Sequence, residues 1–317
     1  MKAMVYTKFG SPDVLRLQEV EKPAPKDHEL LIRVRAASAN PYEWRHLRAD
    51  PFFIRFMGGG LFRPKHRILG ADIAGQVEAV GREARQFKPG DDVFGDGSYG
   101  GYAEYVCVDE KKVALKPASL SFEEAAASPM AGLTALQGLR DKGRIRAGQK
   151  VLINGASGGV GTFAVQIARS FGAEVTGVCS AGKIDLVRSL GADQVVDYKR
   201  EDVTTTGERY DLIFDLAAFR SVKKYRRILA AGGIYVVAGG SMARILQVML
   251  LSMTGAKNMT FLAARVNQED HRTLSDLLSA GKVKSVIDRC YPLEETAKAI
   301  RYLEDGHACG KIVITVS

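Results

Sequence analysis

One glycine-rich segment in the middle of the chain restricts the possible folds more than any other feature. Residues 150–175 read KVLINGASGGVGTFAVQIARSFGAEV, which is a short apolar strand, a tight turn, an amphipathic helix and the start of a second strand. This order is typical of a βαβ unit in a doubly wound α/β fold, where helices cover both faces of a parallel sheet. The segment therefore predicts a dinucleotide-binding domain.

The turn between the first strand and the helix has the composition that phosphate binding requires. A pyrophosphate is bound by bare backbone N–H groups, and a β-carbon at the closest approach would block it. Glycines permit that approach, the helix N-terminus adds partial positive charge, and Gly161 allows the helix to pack tightly on the sheet. The alternative is a tight turn with a purely structural role. The candidate cofactor-binding residues of this turn are Ala156, Ser157, Gly158, Gly159, Val160 and Gly161.

The hydrophobic pattern changes character along the chain. From about Ser121, helical stretches alternate with further apolar strands, which we place at 173–179, 194–198, 211–217 and 233–239. Fully apolar strands between helices indicate a parallel sheet that is buried on both faces. The first third reads instead as β-rich, and the end of the chain returns to a strand; these strands are placed at 30–35, 72–80, 102–108 and 311–316. We therefore expect an α/β protein in which a β-rich domain, 1–124 and 267–317, is interrupted by a doubly wound domain, 125–266.

The second strand of the βαβ unit distinguishes NAD from NADP. An acidic residue at its tip would bind the ribose 2′-hydroxyl of NAD and would repel the 2′-phosphate of NADP. This strand instead ends with Ser180 and is followed by Lys183, while Asp185 falls in the next helix. A hydroxyl and a cation suit a phosphate, so the sequence favours NADPH. The alternative for Lys183 is a solvated residue at the start of a helix.

Composition excludes several other classes of protein. The chain has 317 residues, of which 46% are hydrophobic and 26% charged, as in ordinary globular proteins. Its formal charge of +9 is spread along the chain without a basic block, so we expect no nucleic-acid partner. The four cysteines form no C-x-x-C pair, which argues against a zinc ribbon. No apolar run reaches the roughly 20 residues of a membrane span, and the N-terminus lacks a secretory pattern, so we expect a cytoplasmic protein.

Landmarks along the whole chain resemble one known family. Residues 148–169 follow the pattern GQxxLxxxASGGxGxxxxQxxR. Other landmarks are Asn40-Pro41, GADIAG at 70–75, KPGDDV at 88–93, GYAEY at 101–105, GLTA at 132–135 and GKIV at 310–313. Together they resemble the zinc-free quinone oxidoreductases, the zeta-crystallin-like branch of the medium-chain dehydrogenase/reductase superfamily. The resemblance implies a GroES-like β-rich catalytic domain beside a Rossmann domain, and it is compatible with a homodimer.

The resemblance also implies further site residues. Asn40 would lie in the cleft and offer its amide to the nicotinamide carboxamide or to the substrate oxygen, and Tyr42 would help to form the wall of the acceptor pocket. The additional cofactor-binding candidates are Thr134, Tyr198, Leu216, Ala217, Ala238, Gly239, Gly240 and Lys311. Five of them have an ordinary structural alternative: a turn residue for Asn40, core packing for Tyr42, a helix hydroxyl for Thr134, an unremarkable strand-end residue for Tyr198 and a solvated strand-start residue for Lys311. The apolar stretch 242–254 fits an acceptor wall, a dimer contact or plain core.

Zinc members of the superfamily need cysteine, histidine and carboxylate ligands for their catalytic metal. At the matching positions this chain has Asn40, Asp72 and Met130, and an amide and a thioether are poor zinc ligands. We therefore expect no zinc. Without a Lewis acid to stabilise an alkoxide, alcohol oxidation becomes difficult. A quinone or an α,β-unsaturated carbonyl compound spreads the incoming negative charge and needs only hydrogen-bond donors.

The sequence thus predicts an NADPH-dependent, zinc-free oxidoreductase that reduces quinones or enones by hydride transfer. Two alternatives stay open at this point. The first is a non-catalytic NADPH-binding protein with a crystallin-like or RNA-binding role, because the cofactor motif does not by itself prove turnover. The second, less favoured, is an alcohol dehydrogenase.

Overall fold

The computed structural model describes residues 1–56, 60–218, 220–240, 242–253 and 258–317, and the side chains of 242, 244 and 245 are outside this description. The chain divides into two compact units. The first unit holds Met1–Met130, Val266–Ser279 and Ser285–Ser317, and the second holds Ala131–Arg265 and Ala280–Lys284. The domain boundaries predicted from the sequence lie at 124/125 and 266/267, and they remain a proposal.

The described residues form fifteen β-strands and nine α-helices. The strands are β1 (Lys2–Val5), β2 (Arg16–Glu19), β3 (Glu29–Ala39), β4 (Asp72–Val80), β5 (Asp92–Asp96), β6 (Tyr105–Asp109), β7 (Val113–Leu115), β8 (Lys150–Asn154), β9 (Glu174–Cys179), β10 (Gln194–Asp197), β11 (Tyr210–Asp215), β12 (Leu229–Val237), β13 (Met259–Phe261), β14 (Ile287–Pro292) and β15 (Lys311–Thr315). The helices are α1 (Pro41–Arg48), α2 (Phe122–Ala126), α3 (Pro129–Gln137), α4 (Gly159–Ser170), α5 (Ile184–Ser189), α6 (Val222–Arg227), α7 (Met242–Met253), α8 (Gln268–Ser279) and α9 (Thr296–Glu304). No helix among the described residues combines the length and the apolar character needed to cross a bilayer.

The sheet of the first unit is built around β3. Its strands follow the order β14-β15-β3-β4-β5-β7, and β6 also pairs with β3. Inward-facing Ile32, Val34 and Ile73 pack with Ile312 and Ile314 in one apolar core. The strand predicted at 30–35 extends to Ala39, because its small residues at 36–39 pair with both β4 and β15.

Strand register brings three distant polar residues of the first unit together. Ser38 on β3 pairs with Asp72 at the start of β4. Ala39 pairs antiparallel with Ile312 on β15, so the next residue along β3, Asn40, lies opposite Lys311. Residues 40, 72 and 311 therefore meet where β3 ends, although no local pattern links them.

The second unit contains a parallel sheet with the strand order β10-β9-β8-β11-β12-β13. The order reverses at β8, because β9 and β10 lie on one side of it and β11, β12 and β13 on the other. In open α/β sheets, ligands bind beyond the carboxyl ends of the strands at such a switch point. The expected combination of a β-rich unit and a doubly wound parallel sheet is confirmed.

The ends of several predicted strands differ from the observed ones. The strands predicted at 72–80 and 150–154 match β4 and β8. The strand predicted at 211–217 ends at Asp215, which leaves Leu216 and Ala217 in the following turn, and the strand predicted at 102–108 begins only at Tyr105. Apolar residues lie beyond the hydrogen-bonded part of both strands, after the end of one and before the start of the other. Hydrophobicity alone therefore does not locate the ends of a strand.

Candidate active site

Two glycines in the turn between β8 and α4, Gly161 and Gly158, have different roles. A β-carbon on Gly161 would lie 2.1 Å from the carbonyl oxygen of Gly155 and 2.7 Å from the carbonyl carbon of Ala156. Gly161 is therefore required for helix α4 to pack on the turn. A β-carbon on Gly158 would meet only the Gly155 oxygen, at 3.5 Å. No close contact within the described residues requires glycine at 158. The space above this residue, at the half-exposed N-terminus of α4, is therefore available to a ligand.

Ser180 and Tyr198 lie side by side at the carboxyl ends of β9 and β10. The backbone N–H of Tyr198 donates to the carbonyl of Cys179, the residue before Ser180, at 3.1 Å. Lys183 is one short turn further on, and its backbone N–H donates to the Ser180 carbonyl at 2.9 Å. The Tyr198 side chain is 44% exposed. Three of the predicted cofactor-binding residues, Ser180, Lys183 and Tyr198, therefore share one surface. The exposed Arg200, which sequence reasoning missed, lies two residues after Tyr198 in the chain.

A buried carboxylate at the end of β11 connects the last residue of β8, the turn after β11 and strand β12. Asp215 Oδ1 accepts hydrogen bonds from Asn154 Nδ2 at 2.7 Å and from the backbone N–H groups of Ala217 and Ala218 at 3.2 and 2.7 Å. Its Oδ2 accepts from the Tyr235 hydroxyl at 2.7 Å. Sequence reasoning missed this residue, although an acid that ends the apolar run LIF at 212–214 is a usable signal.

The predicted residues at the carboxyl ends of β11 and β12 are in direct contact. A β-carbon on Gly239 would lie 2.3 Å from the carbonyl oxygen of Leu216. Gly240 has φ +90°, and a β-carbon there would lie 2.4 Å from that of Ala218. These glycines thus allow two loops to meet, which is a packing reason in addition to the cofactor approach that the sequence suggested. Thr134, the remaining candidate of this unit, is half-buried on α3.

In the first unit, Asn40, Asp72 and Lys311 form one buried hydrogen-bonded cluster. The Lys311 ammonium donates to Asn40 Oδ1 and lies 3.3 Å from Asp72 Oδ2, while Asn40 Nδ2 donates to the same Asp72 oxygen at 3.0 Å. Their side chains are nearly inaccessible, with Lys311 only 3% exposed. The alternative of a solvated Lys311 is wrong. Asn40 is also the N-cap residue of α1, directly before Pro41, and its role in the site is a prediction.

A second carboxylate supports the loop that carries Asn40. Glu43 Oε2 accepts from the backbone N–H of Asn40 at 2.7 Å, and Oε1 accepts from that of Ala71 at 3.0 Å. Burial raises the pKa of the Glu43 carboxyl to about 7, and the nearby Asp72 charge adds to this effect. Glu43 was not among the predicted site residues, since an acid three residues into a helix is usually only a capping group.

Tyr42 belongs to a group of four half-buried rings. Its ring centroid lies 4.0 Å from that of His46 and 5.9 Å from that of Tyr99. Tyr99 stacks on His66 with centroids 3.9 Å apart and planes 10° apart. Burial and a side-chain hydrogen bond with Tyr99 raise the pKa of Tyr42, so its phenol remains protonated at neutral pH. Tyr42 is therefore a neutral aromatic side chain, and its place in the wall of the acceptor pocket stays a prediction.

The apolar stretch at 242–254 forms helix α7 as far as Met253, and residue 254 lies outside the described residues. Val248 is buried, whereas Leu246, Met249, Leu250 and Met253 are exposed. Packing in the hydrophobic core therefore accounts only for the side of α7 that carries Val248.

Comparison with known proteins agrees with this arrangement. Residues 26–118 match the family described as the alcohol dehydrogenase GroES-like domain, and residues 190–314 match the family described as zinc-binding dehydrogenase. The chain is 36% identical to 2-methylene-furan-3-one reductase of Solanum lycopersicum and 33% identical to the chloroplastic NADPH-dependent alkenal/one oxidoreductase of Arabidopsis thaliana, covering 99% of this chain and 79% of each relative.

A solved structure extends the similarity to the whole fold. The quinone oxidoreductase from Coxiella burnetii superposes with a TM-score of 0.90 at 31% identity, covering 100% of this chain and 99% of that one. The GroES-like sheet, the glycine turn at a topological switch point and these relatives agree on one assignment. The chain belongs to the zinc-free quinone oxidoreductase branch of the medium-chain dehydrogenase/reductase superfamily.

Proposed function

We propose that this chain reduces quinones and α,β-unsaturated carbonyl compounds with NADPH. The observation that carries the proposal is the cluster of Asn40, Asp72 and Lys311, in which an ammonium and a carboxylate hold the Asn40 amide, a hydrogen-bond donor at a position that matches a metal ligand in zinc members. Such donors suffice for an acceptor that spreads negative charge onto a distant oxygen. The activities named for the relatives from Solanum lycopersicum and Arabidopsis thaliana support the same reaction.

Zinc does not fit this cluster. A divalent cation beside Asp72 would face the Lys311 ammonium, 3.3 Å from the carboxylate oxygen, and would be repelled by it. The remaining neighbours are an amide oxygen and the hydroxyl of Ser38, which are weak zinc donors. We therefore propose a zinc-independent enzyme.

NADPH fits the second unit. The space above Gly158 and the N-terminus of α4 would hold the pyrophosphate, and Ser180, Lys183 and Tyr198 would hold the 2′-phosphate. Bound NADPH would supply the hydride that the acceptor receives at its electron-poor carbon. Asn40 would then donate a hydrogen bond to the acceptor oxygen as it gains negative charge, and water would deliver the proton. From the composition and charge distribution we also propose a cytoplasmic protein without a nucleic-acid partner, and by family resemblance a homodimer.

The acceptor preference tests this function directly. We expect rapid NADPH oxidation with para-naphthoquinone and with butenone, and a rate lower by at least about a hundredfold with butanone, because only a conjugated acceptor delocalises the charge. The rate should persist after dialysis against a strong chelator. Turnover of butanone with the conjugated acceptors inert would contradict the proposal and favour a dehydrogenase. NADPH binding without turnover of any acceptor would favour the non-catalytic alternative.

Lys183→Ala tests the cofactor assignment. A charge-assisted contact with phosphate contributes about 1.5–3 kcal/mol, so the NADPH dissociation constant should rise roughly 10- to 100-fold while that of NADH changes little. Lys150→Ala is the matched control, since this half-buried lysine is paired with Glu208 at the opposite, amino end of β8. Cofactor fluorescence titration measures both constants. Equal weakening of NADPH and NADH by Lys183→Ala would rule out the phosphate contact.

A further inference from the structure

Lys311 is unusual among the cationic side chains of this chain. Within the described residues, no other lysine or arginine is as deeply buried. Its ammonium is held by two partners, Asn40 Oδ1 and Asp72 Oδ2. Burying a charge is costly even when it is paired, so a surface position would serve stability better. The family resemblance suggested a phosphate or cleft cation here, and the contacts within the first unit point to another use.

We propose that Lys311 is a positioning residue that orients and polarises the Asn40 amide for acceptor reduction. The inference rests on the proposed function, because it assigns a task to Lys311 within that reaction. Lys311 acts on the acceptor only through Asn40, and Asp72 holds both of them in place.

The two charges determine which way the amide of Asn40 faces. The oxygen of the amide points at an ammonium, and its nitrogen points at a carboxylate oxygen 3.0 Å away. The flipped amide would bring NH₂ against NH₃⁺ and oxygen against a carboxylate, so both contacts would become repulsive. An asparagine in a neutral environment has no comparable preference. One N–H of the amide is used by Asp72, and in this proposal the second N–H would be the donor for the acceptor oxygen.

The same contacts strengthen that donor. An ammonium on the carbonyl oxygen withdraws electron density from the amide nitrogen and makes its N–H groups better hydrogen-bond donors. The effect is largest in a site that excludes water, and Asn40 is only 3% exposed. Lys311 thus places positive charge one residue away from the acceptor oxygen, where zinc members use a metal.

Asp72 anchors the arrangement. Besides Asn40 and Lys311, its carboxylate accepts from the Ser38 hydroxyl at 2.8 Å and from the backbone N–H of Met130 at 2.9 Å. Four donors from separate elements prevent the carboxylate from turning toward either partner. The ion pair is therefore rigid, which a hydrogen-bond donor in catalysis requires.

A double-mutant cycle between Lys311 and Asn40 tests the proposal. The variants are Lys311→Met, Asn40→Ala and the double variant, and each is assayed for kcat with para-naphthoquinone and for NADPH affinity. We expect each single variant to lower kcat roughly 10- to 100-fold without weakening NADPH, and the double variant to lose no more than either single one. Independent, multiplying losses would overturn the inference, as would a Lys311→Met enzyme with wild-type kcat.

A binding measurement gives a readout that is independent of turnover. Para-nitrophenolate mimics the oxyanion that forms on a reduced quinone, and its absorbance shifts on binding to the enzyme with NADP⁺. Lys311→Met and Asn40→Ala should each weaken this ligand about tenfold, again without further loss in the double variant. Unchanged phenolate affinity in Lys311→Met would also overturn the inference.

Two further variants separate positioning from folding. Lys311→Met leaves Asp72 buried without its cation, so Lys311→Met/Asp72→Asn removes both charges and should fold with normal NADPH affinity while kcat stays low. Wild-type kcat in that neutral pair would overturn the inference. Lys116→Met is the control, because among the described residues this half-buried lysine donates to the carbonyls of Pro117 and Leu120 and lies over the Phe122 ring, and the kcat of this variant should not change. A wild-type enzyme that reduces no conjugated acceptor would instead refute the proposed function, and with it the task given to Lys311.

Discussion

Gly161→Ala is expected to disrupt both the fold around the glycine turn and cofactor binding. The added β-carbon would lie 2.1 Å from the Gly155 oxygen and 2.7 Å from a backbone carbon of Ala156. Because both neighbours are backbone atoms, the start of α4 has to move away from the turn. Overpacking of this kind costs about 3 kcal/mol or more, which corresponds to a melting temperature lower by roughly 10 °C. NADPH affinity should fall with it, since the displaced helix no longer presents its N-terminus to the pyrophosphate.

Gly158→Ala is the matched control, three residues earlier in the same turn. Here the β-carbon meets only the Gly155 oxygen at 3.5 Å, and the backbone is extended at φ −79°, which alanine adopts readily. The melting temperature should therefore stay the same, while NADPH binds roughly tenfold more weakly because the methyl group enters the space of the phosphate. Thermal unfolding and fluorescence titration of the two variants measure the contrast. A Gly158→Ala protein that binds NADPH normally would show that the space above this residue is not used.

Asp215→Ala is expected to cause the second large effect. The substitution leaves four donors without their acceptor, from the side chains of Asn154 and Tyr235 and the backbones of Ala217 and Ala218. Each buried donor left unsatisfied costs about 1–3 kcal/mol, and partial relaxation brings the expected total to about 4 kcal/mol. Ala218 also has φ +49°, a conformation that alanine rarely adopts unaided, so the turn after β11 should rearrange. Urea unfolding measures the loss of stability.

Two further substitutions show whether the hydrogen bonds of Asp215 are responsible. Asp215→Asn keeps an oxygen for the Asn154 side chain and the two backbone donors, and its NH₂ group can donate to the Tyr235 hydroxyl, so most of the stability should return. Asp185→Ala removes a fully exposed carboxylate from the same unit and should leave the unfolding midpoint unchanged. If Asp215→Ala unfolds at the same urea concentration as Asp185→Ala, the carboxylate does not hold β8, β12 and the turn after β11 together.

Local patterns in the sequence determined the fold class and the position of the nucleotide-binding turn. The strands β4 and β8 lie where apolar periodicity places them, at Asp72–Val80 and Lys150–Asn154, and the glycine turn follows β8 directly. These features depend on backbone conformation and on residues a few positions apart, so the order of residues is sufficient to predict them. The same holds for the absence of an acid after β9, since Ser180 and Lys183 are close to the turn along the chain.

The tertiary structure alone decided which polar groups meet and what each glycine does. Lys311 and Asn40 are separated by 271 positions, and only the register of β15 on β3 places the ammonium against the amide. Gly158 and Gly161 look alike in the motif, yet only the path of the backbone at Gly155 makes one indispensable for packing and leaves the other free to face a ligand. Strand register and burial depend on the packing of the whole sheet, which includes many contacts between residues far apart in the chain. A local sequence pattern does not contain the information about those contacts.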